Sequence, residues 1–214
     1  MTQQRDSDEL RNRFFSRLWV RMKDIDEQVE NRRRTLAGLS GKVIELGAGD
    51  GRNFALYPPE VTEVLAVEPE PYLREHAEAA ARKAPVPVTV VAGVADRLPA
   101  EDESFDAGVA SLVLCSVPDQ ARALAELRRV IKPGGKLHFF EHVVSHHPTQ
   151  ARIENLLDHV WPRVAGGCHP NRDTRAAIEA AGFELEDCDR FGFSPGFPMP
   201  KIAHILGVAR RPAV

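Results

Sequence analysis

The sequence predicts an α/β fold: a doubly wound, mostly parallel sheet of seven strands with an antiparallel last strand, preceded by N-terminal helices. Three observations predict it. Short apolar runs alternate with amphipathic stretches from Val43 to Phe140, which implies parallel strands joined by right-handed crossovers. The first run, Val43-Ile-Glu-Leu46, enters a glycine-rich turn, Gly47-Ala-Gly-Asp-Gly51, without a break. The last two runs are joined by Phe193-Ser-Pro-Gly-Phe-Pro-Met-Pro200, whose three prolines forbid a regular ladder and leave a long hairpin connection.

The elements follow in order. Met1 to Ser7 is polar and expected to fray. From Asp8 onward Leu10, Phe14, Leu18 and Met22 recur every four residues, with Phe15 and Trp19 beside them, as in an amphipathic helix. A second helix is expected over Glu27 to Leu39, where Arg32-Arg33-Arg34 reads as a solvated face rather than a phosphate site. Val43 to Leu46 is strand one, and a helix starts at Arg52 and stops at Pro58-Pro59. Val64 to Val67 is strand two, Tyr72 to Lys83 a helix, and Val86 to Val91 strand three. Phe105 to Leu114 is strand four. Gln120 to Ile131 is a helix ended by Pro133-Gly134-Gly135, and Lys136 to Phe140 is strand five.

Regularity then breaks. Residues 145–170 hold a helix, Gln150 to Val160, and an irregular Gly166-Gly-Cys-His-Pro170 segment. A helix over Thr174 to Ala181 ends at Gly182. Phe183 to Asp189 and His204 to Ala209 are the last two strands. The expected organisation is a helical lid over 1–40 and one α/β domain over 41–214, with an insertion at about 145–173.

Bulk properties narrow the function. A chain of 214 residues buries one substantial core. A net charge of -3 carries no polyanion-binding signature, so no nucleic-acid partner is expected. Cys115, Cys168 and Cys188 are odd in number and lack framework spacing, which points to a reducing, cytoplasmic setting. No apolar stretch approaches the roughly 20 residues that span a bilayer, so no stable membrane insertion is expected. A monomer or homodimer acting on a small molecule suits these properties.

The chemistry starts at the glycine turn. Glycines there let the backbone bend sharply and come close to a ligand. Glu68 ends strand two, where an acid accepts ribose hydroxyls. A dinucleotide fingerprint would need a third small residue where Arg52 stands. The turn reads E-x-G-x-G-x-G instead. A pyrophosphate avoids a nearby anion, whereas a cationic ligand can use Glu45 and Asp50. A nicotinamide-dependent oxidoreductase is disfavoured by Arg52 and by the lack of an evident hydride-site Ser/Tyr/Lys set. A module that holds the ligand without chemistry stays open, because binding residues do not prove turnover.

This turn resembles motif I of the class I S-adenosylmethionine-dependent methyltransferases. Three more stretches fall where that family needs them: Ala92-Gly-Val-Ala-Asp-Arg-Leu-Pro99 after strand three, Leu112-Val-Leu-Cys-Ser-Val-Pro118 at the end of strand four, and Leu127-Arg-Arg-Val-Ile-Lys-Pro-Gly-Gly135 before strand five. Five stretches look like the thiol methyltransferase-like branch, which comprises animal microsomal enzymes and bacterial relatives. They are Asn53-Phe-Ala-Leu-Tyr-Pro-Pro59, Leu112 to Val117, Phe140-Glu-His-Val143, Gly167-Cys-His169 and Ala203-His-Ile-Leu-Gly207. Animal members carry an apolar N-terminal anchor, whereas the first forty residues here are charged and helical. The broader motifs also resemble quinone and phospholipid methyltransferases.

The resemblance implies a Rossmann-like fold with S-adenosylmethionine as cofactor and S-adenosylhomocysteine as product. It implies cofactor contacts from Glu45, Gly47, Ala48, Gly49, Asn53, Glu68, Pro69, Ala95, Asp96, Leu112 and Leu114. It implies methyl transfer to a small, mostly apolar molecule, with a thiol sulfur preferred. The alternatives are nitrogen, oxygen or carbon of a quinone, phospholipid or secondary metabolite.

The acceptor belongs over the carboxyl ends of strands four and five. Glu141 and His142 stand there as catalytic candidates, and alternation sends one into the sheet and the other to the cleft. His142 could take the acceptor's proton. The expected pocket includes Phe14, Trp19, Ser116, His142, His169 and Phe197. The N-terminal helix would form a lid, and the insertion and the Phe197–Met199 loop would form walls. Cys115 reads as a small buried packing residue with a raised pKa. No metal is expected, because His146-His147, Cys168-His169 and Cys188 lack ligand spacing.

Overall fold

The computed structural model of the chain describes residues 15–194 and 201–213. Seven strands are formed: β1 (Gly41–Leu46), β2 (Val61–Val67), β3 (Val88–Val91), β4 (Phe105–Ser111), β5 (Ile131–His142), β6 (Glu184–Phe193) and β7 (Ile202–Arg210). They make one sheet in the order β3-β2-β1-β4-β5-β7-β6. The β3-β2, β2-β1, β1-β4 and β4-β5 pairs are parallel. β7 runs antiparallel to both β5 and β6, so the antiparallel last strand lies inside the sheet and β6 is the edge. The strand order reverses at β1 and β4, which opens a crevice at their carboxyl ends.

Helices cover both faces: α1 (residues 15–21), α2 (Asp26–Leu36), α3 (Pro71–Ala81), α4 (Gln120–Val130), α5 (Pro148–Leu157), α6 (Trp161–Val164) and α7 (Thr174–Ala180). Among the described residues, no helix is long and apolar enough to cross a membrane. β1 has four consecutive buried residues, as a doubly covered strand requires. Ile44 and Leu46 pack on one side with Leu124 and Leu127 of α4 and Ile178 of α7. Val43 packs on the other side with Leu36 of α2 and Ala77 of α3. Asp119 and Asp173 start α4 and α7 by accepting the amides of Arg122 and Ala176.

Four expectations need correction. The helix from Arg52 is a single 3₁₀ turn, Phe54–Leu56, because Phe54 and Tyr57 turn into the core and Pro58 stops the chain. β4 ends at Ser111 rather than Leu114, because Leu112 takes a left-handed backbone, φ 57°. β3 starts at Val88, since Pro87 has no N–H for the ladder and contributes only its carbonyl to Val64. The arginine run is not one solvated face. Arg33 and Arg34 are exposed, but Arg32 lies on the buried side of α2 with Asn31, Thr35 and Leu36.

Candidate active site

The turn after β1 is built to leave backbone open to a ligand. Gly47, Gly49 and Gly51 all have left-handed φ, at 63°, 58° and 83°. A Cβ on Gly47 would lie 2.2 Å from Val113 Cγ2, whereas one on Gly49 would meet nothing closer than Trp19 Nε1 at 3.8 Å. The Gly49 face is therefore the approachable one. The Gly49 amide donates to Glu68 Oε2 and the Glu70 amide to Glu68 Oε1, each at 2.9 Å. These two bonds orient the Glu68 carboxylate and leave lone pairs on both oxygens, enough for the two hydroxyls of a ribose. Burial raises the Glu68 carboxyl above its ordinary value. A cleft lined by Pro69, Gly93, Val94, Leu98 and Pro99 opens beside Glu68. Ala95 and Asp96 form the tip of the tight turn between Val94 and Arg97 that flanks it; Asp96 is exposed.

Glu45 does not face the crevice directly. It is buried, and its carboxylate accepts Asn53 Nδ2 at 2.7 Å and Tyr57 Oη at 2.8 Å. Burial pushes its pKa up to about 7, although both hydrogen bonds and the nearby Arg32 pull it down. Arg32 extends the network with bonds to Asn53 Oδ1, Ser111 Oγ and Asp24 Oδ2 at 3.1, 3.3 and 2.6 Å. Asn53 thus touches an acid on one side and a guanidinium on the other.

Arg52 ties the N-terminal segment to this turn. It donates to Asp50, to Asp24 and to the carbonyls of Trp19 and Met22. Its guanidinium lies 4.5 Å from the centre of the Trp19 ring, whose Nε1 donates to Asp50 Oδ1 at 3.2 Å. Spacing shows that Arg52 is no third glycine. The packing shows why a large cation fits: its fork gathers two carboxylates and two helix-end carbonyls. Phe15 stacks on Trp19 at 5.9 Å. Asp24, Arg32 and Tyr57 join the network behind this turn, and local patterning missed them. The helical spacing from Arg32 to the apolar Leu36 was the available signal.

The carboxyl edge of β4 and β5 forms the other half. Glu141 is fully enclosed; its carboxylate accepts the amides of Val113, Leu114 and Cys115 at 3.0, 2.9 and 3.1 Å. It fixes the loop after β4, and burial raises its pKa to about 7. His142 is the half-buried member of the pair. Its Nδ1 lies 3.1 Å from Cys168 Sγ and 3.7 Å from Cys115 Sγ. Burial, the largest single influence, lowers the imidazole's pKa, but the bond to Cys168 and the charges of Cys168 and Glu141 together raise it above its ordinary value. In the cysteine pair the proton stays on Cys115, because the bond to Cys168 and burial raise its pKa; the bond from Cys115 holds Cys168 low.

The insertion closes on this edge. Gly166 and Gly167 turn through φ 61° and 87°. The next amide but one, that of His169, donates to the Cys115 carbonyl at 2.8 Å. Arg172 donates to the carbonyls of Leu114 and Val117 at 2.8 and 2.7 Å. Asp158 of the insertion holds His169 Nδ1 at 2.9 Å.

The expected site residues therefore fall into three groups along one sheet edge. Glu68 and Pro69 line one end with the 92–99 loop. Glu45, Gly47, Ala48, Gly49 and Asn53 form the central turn, with Trp19 above it through Asp50. Leu112, Leu114, Ser116, His142 and His169 gather at the other end. Phe14 and Phe197 lie outside the described residues. Sequence spacing found no metal set, yet the fold assembles Cys115, His142 and Cys168 with their ligand atoms within 4.8 Å of one another.

Residues 44–139 match the methyltransferase domain family. The thiol S-methyltransferase TMT1B of Rattus norvegicus is 34% identical over 201 residues, covering 91% of this chain and 81% of that protein. Its Homo sapiens counterpart is 36% identical over 180 residues, covering 81% and 73%. An S-adenosylmethionine-dependent methyltransferase from Methanosarcina mazei shares the fold, with a TM-score of 0.68 at 20% identity over 90% of this chain and all of that one.

Proposed function

We propose that this chain, which belongs to the class I S-adenosylmethionine-dependent methyltransferases and to their thiol S-methyltransferase branch, methylates the sulfur of a small, mostly apolar thiol. The carrying observation is the 34–36% identity to the TMT1B enzymes over four fifths or more of the chain. S-Adenosylmethionine, when bound, supplies an electrophilic methyl group on a sulfonium. Its protein partners in this proposal follow the family resemblance, and the geometry above supports them. Glu68 takes the ribose hydroxyls, and Pro69, Ala95 and Asp96 border the adenine. Gly47, Ala48 and Gly49 bring the main chain close. Glu45, set by Asn53 and Tyr57, adds negative potential for a cationic ligand once it ionises. Leu112 and Leu114 flank the step to the acceptor.

The acceptor lies between Ser116, His142 and His169, under the N-terminal helices that Arg52 docks through Trp19. A thiol needs little acid–base help, because a pKa of roughly 8.5 leaves some thiolate at neutral pH. Alignment is the protein's larger contribution; holding two reactants in line supplies roughly 7–11 kcal/mol. The overall change is thiol plus sulfonium to two thioethers and a proton. The unpaired cysteines suit a reducing, cytoplasmic setting.

The test is a matched panel of a thiol, phenol and aniline on one apolar skeleton, with methylated products identified by mass spectrometry. The thiol is expected to lead in kcat/KM by more than about tenfold, a difference of roughly 1.4 kcal/mol in transition-state binding. Methylation of the phenol or the aniline with the thiol left unchanged overturns the assignment to sulfur.

A further inference from the structure

The acceptor end holds a cluster that methyl transfer by alignment leaves unused. His142 Nδ1 lies 3.1 Å from Cys168 Sγ and 3.7 Å from Cys115 Sγ. All three ligand atoms lie within 4.8 Å of one another. A tetrahedral zinc ion with the usual bond lengths places nitrogen and sulfur about 3.6 Å apart and two sulfurs about 3.8 Å apart. The nitrogen–sulfur distances bracket that value. Two thiolates and an imidazole form a soft donor set that suits zinc rather than magnesium or calcium.

Three protein ligands are also the number that a catalytic zinc uses, with the fourth position kept for water or substrate. Among the described residues no fourth ligand joins. Among those residues the converging ligand atoms are those of Cys115, His142 and Cys168, and His204, whose ring centre lies 4.4 Å from that of His142, falls outside the set. Both sulfurs belong to buried residues, while His142 and the adjoining Ser116 are half-buried, so the cluster meets solvent on one side. The ligand-bearing loops are fixed independently of any metal. Glu141 holds the amides of residues 113–115, and the His169 amide bonds the Cys115 carbonyl. Such outer contacts orient ligands in zinc sites.

We propose that Cys115, His142 and Cys168 bind a zinc ion whose fourth position takes the sulfur of the acceptor thiol. The second half of this assignment rests on the thiol reading above. On binding, the acceptor S–H bond breaks, its proton leaves to solvent, and the sulfur donates an electron pair to the metal. No carbon–sulfur bond changes at this step. Zinc binding itself releases the Cys115 proton to solvent; zinc with two thiolates is then neutral, so the bound acceptor gives the site one negative charge, which complements a cationic methyl donor. His142 is then a metal ligand rather than a base.

The test uses the full chain, stripped with a chelator and reloaded with zinc or cobalt(II). The expected result is about one metal per chain by mass spectrometry, with the strong visible absorption of tetrahedral thiolate-bound cobalt(II). Cys168→Ser is expected to weaken zinc binding by more than about 100-fold, beyond the cost of losing an outer-shell partner. It should leave S-adenosylmethionine binding intact by calorimetry. Adding phenylmethanethiol to the cobalt(II) protein without cofactor should shift the visible bands, and phenylmethanol should not. This measurement on the unaltered chain decides the matter even if the variants do not fold.

Failure to retain metal overturns the zinc site. Full-rate thiol methylation by the stripped chain overturns its role but leaves the thiol reading standing. A cobalt spectrum indifferent to the thiol overturns the acceptor assignment. If the product panel then shows only O- or N-methylation, the thiol reading falls separately.

Discussion

Raising the pH through neutrality should destabilise this fold through Glu45. The carboxyl is buried against Asn53 and Tyr57, and burial moves its pKa from 4.5 to about 7. The folded state therefore holds the proton more tightly than the unfolded chain. That contribution is fully present below about pH 4.5 and is lost as the pH rises through about 7. At roughly 1.36 kcal/mol per pH unit, the span amounts to about 3 kcal/mol. Glu45→Gln isolates it. The amide can accept from Asn53 and donate to the Tyr57 hydroxyl, so the network survives without a titrating group. Urea unfolding of both proteins at intervals between pH 4.5 and 8 gives the difference curve, in which other titrating groups largely cancel. Wild type should lose about 3 kcal/mol relative to Glu45→Gln across that range, or roughly 2–4 °C of Tm per kcal/mol in a chain of this size. A flat difference would refute the claim that Glu45 is desolvated.

Other substitutions test the donor end. Arg52→Ala removes bonds to Asp24, Asp50 and two carbonyls together with the Trp19 stacking. It should undock residues 15–24 at a local cost of about 2–4 kcal/mol, seen as lost hydrogen-exchange protection. Arg52→Lys should recover only part, because an ammonium lacks the planar fork. Gly47→Ala should cost more than about 3 kcal/mol in urea unfolding, through both backbone strain and the clash with Val113. Adding Val113→Ala should relieve the clash and leave the strain. Glu68→Ala should weaken S-adenosylmethionine binding about 100-fold by calorimetry, equivalent to roughly 3 kcal/mol for two hydrogen bonds to a carboxylate.

Legibility in the sequence follows contact distance. β1 and its turn occupy consecutive residues, so apolar run, acid and glycines can be read together. The register then carries Glu68 to the same edge through the β1–β2 pairing, in which Leu46 faces Val67. Arg32 was hidden for the opposite reason. Its neighbours Arg33 and Arg34 are exposed, and only the 3.6-residue helical period separates the buried member of the run. Its partners Asn53 and Ser111 are 21 and 79 residues away. The 3₁₀ turn at Phe54–Leu56 was also unreadable, since Phe54 and Tyr57 gain more from the core than a longer helix would supply.

The same distinction separates the two halves of the site. The donor half is nearly contiguous and survives as a motif. The proposed acceptor half joins a loop after β4, the end of β5 and an insertion that lacks any simple period. Glu141 is the hinge between them in space. A residue whose place at the strand end makes it a catalytic candidate commits both carboxylate oxygens to the Val113, Leu114 and Cys115 amides. Those bonds hold the chain just beyond Leu112, whose left-handed backbone would cost roughly 1–2 kcal/mol if unsupported. One buried acid thereby sets both the strained turn beside the cofactor crevice and the position of Cys115 beside His142. An insertion with Gly166 and Gly167 can then vary the third side of the proposed acceptor pocket while β4, β5 and the glycine turn stay as they are.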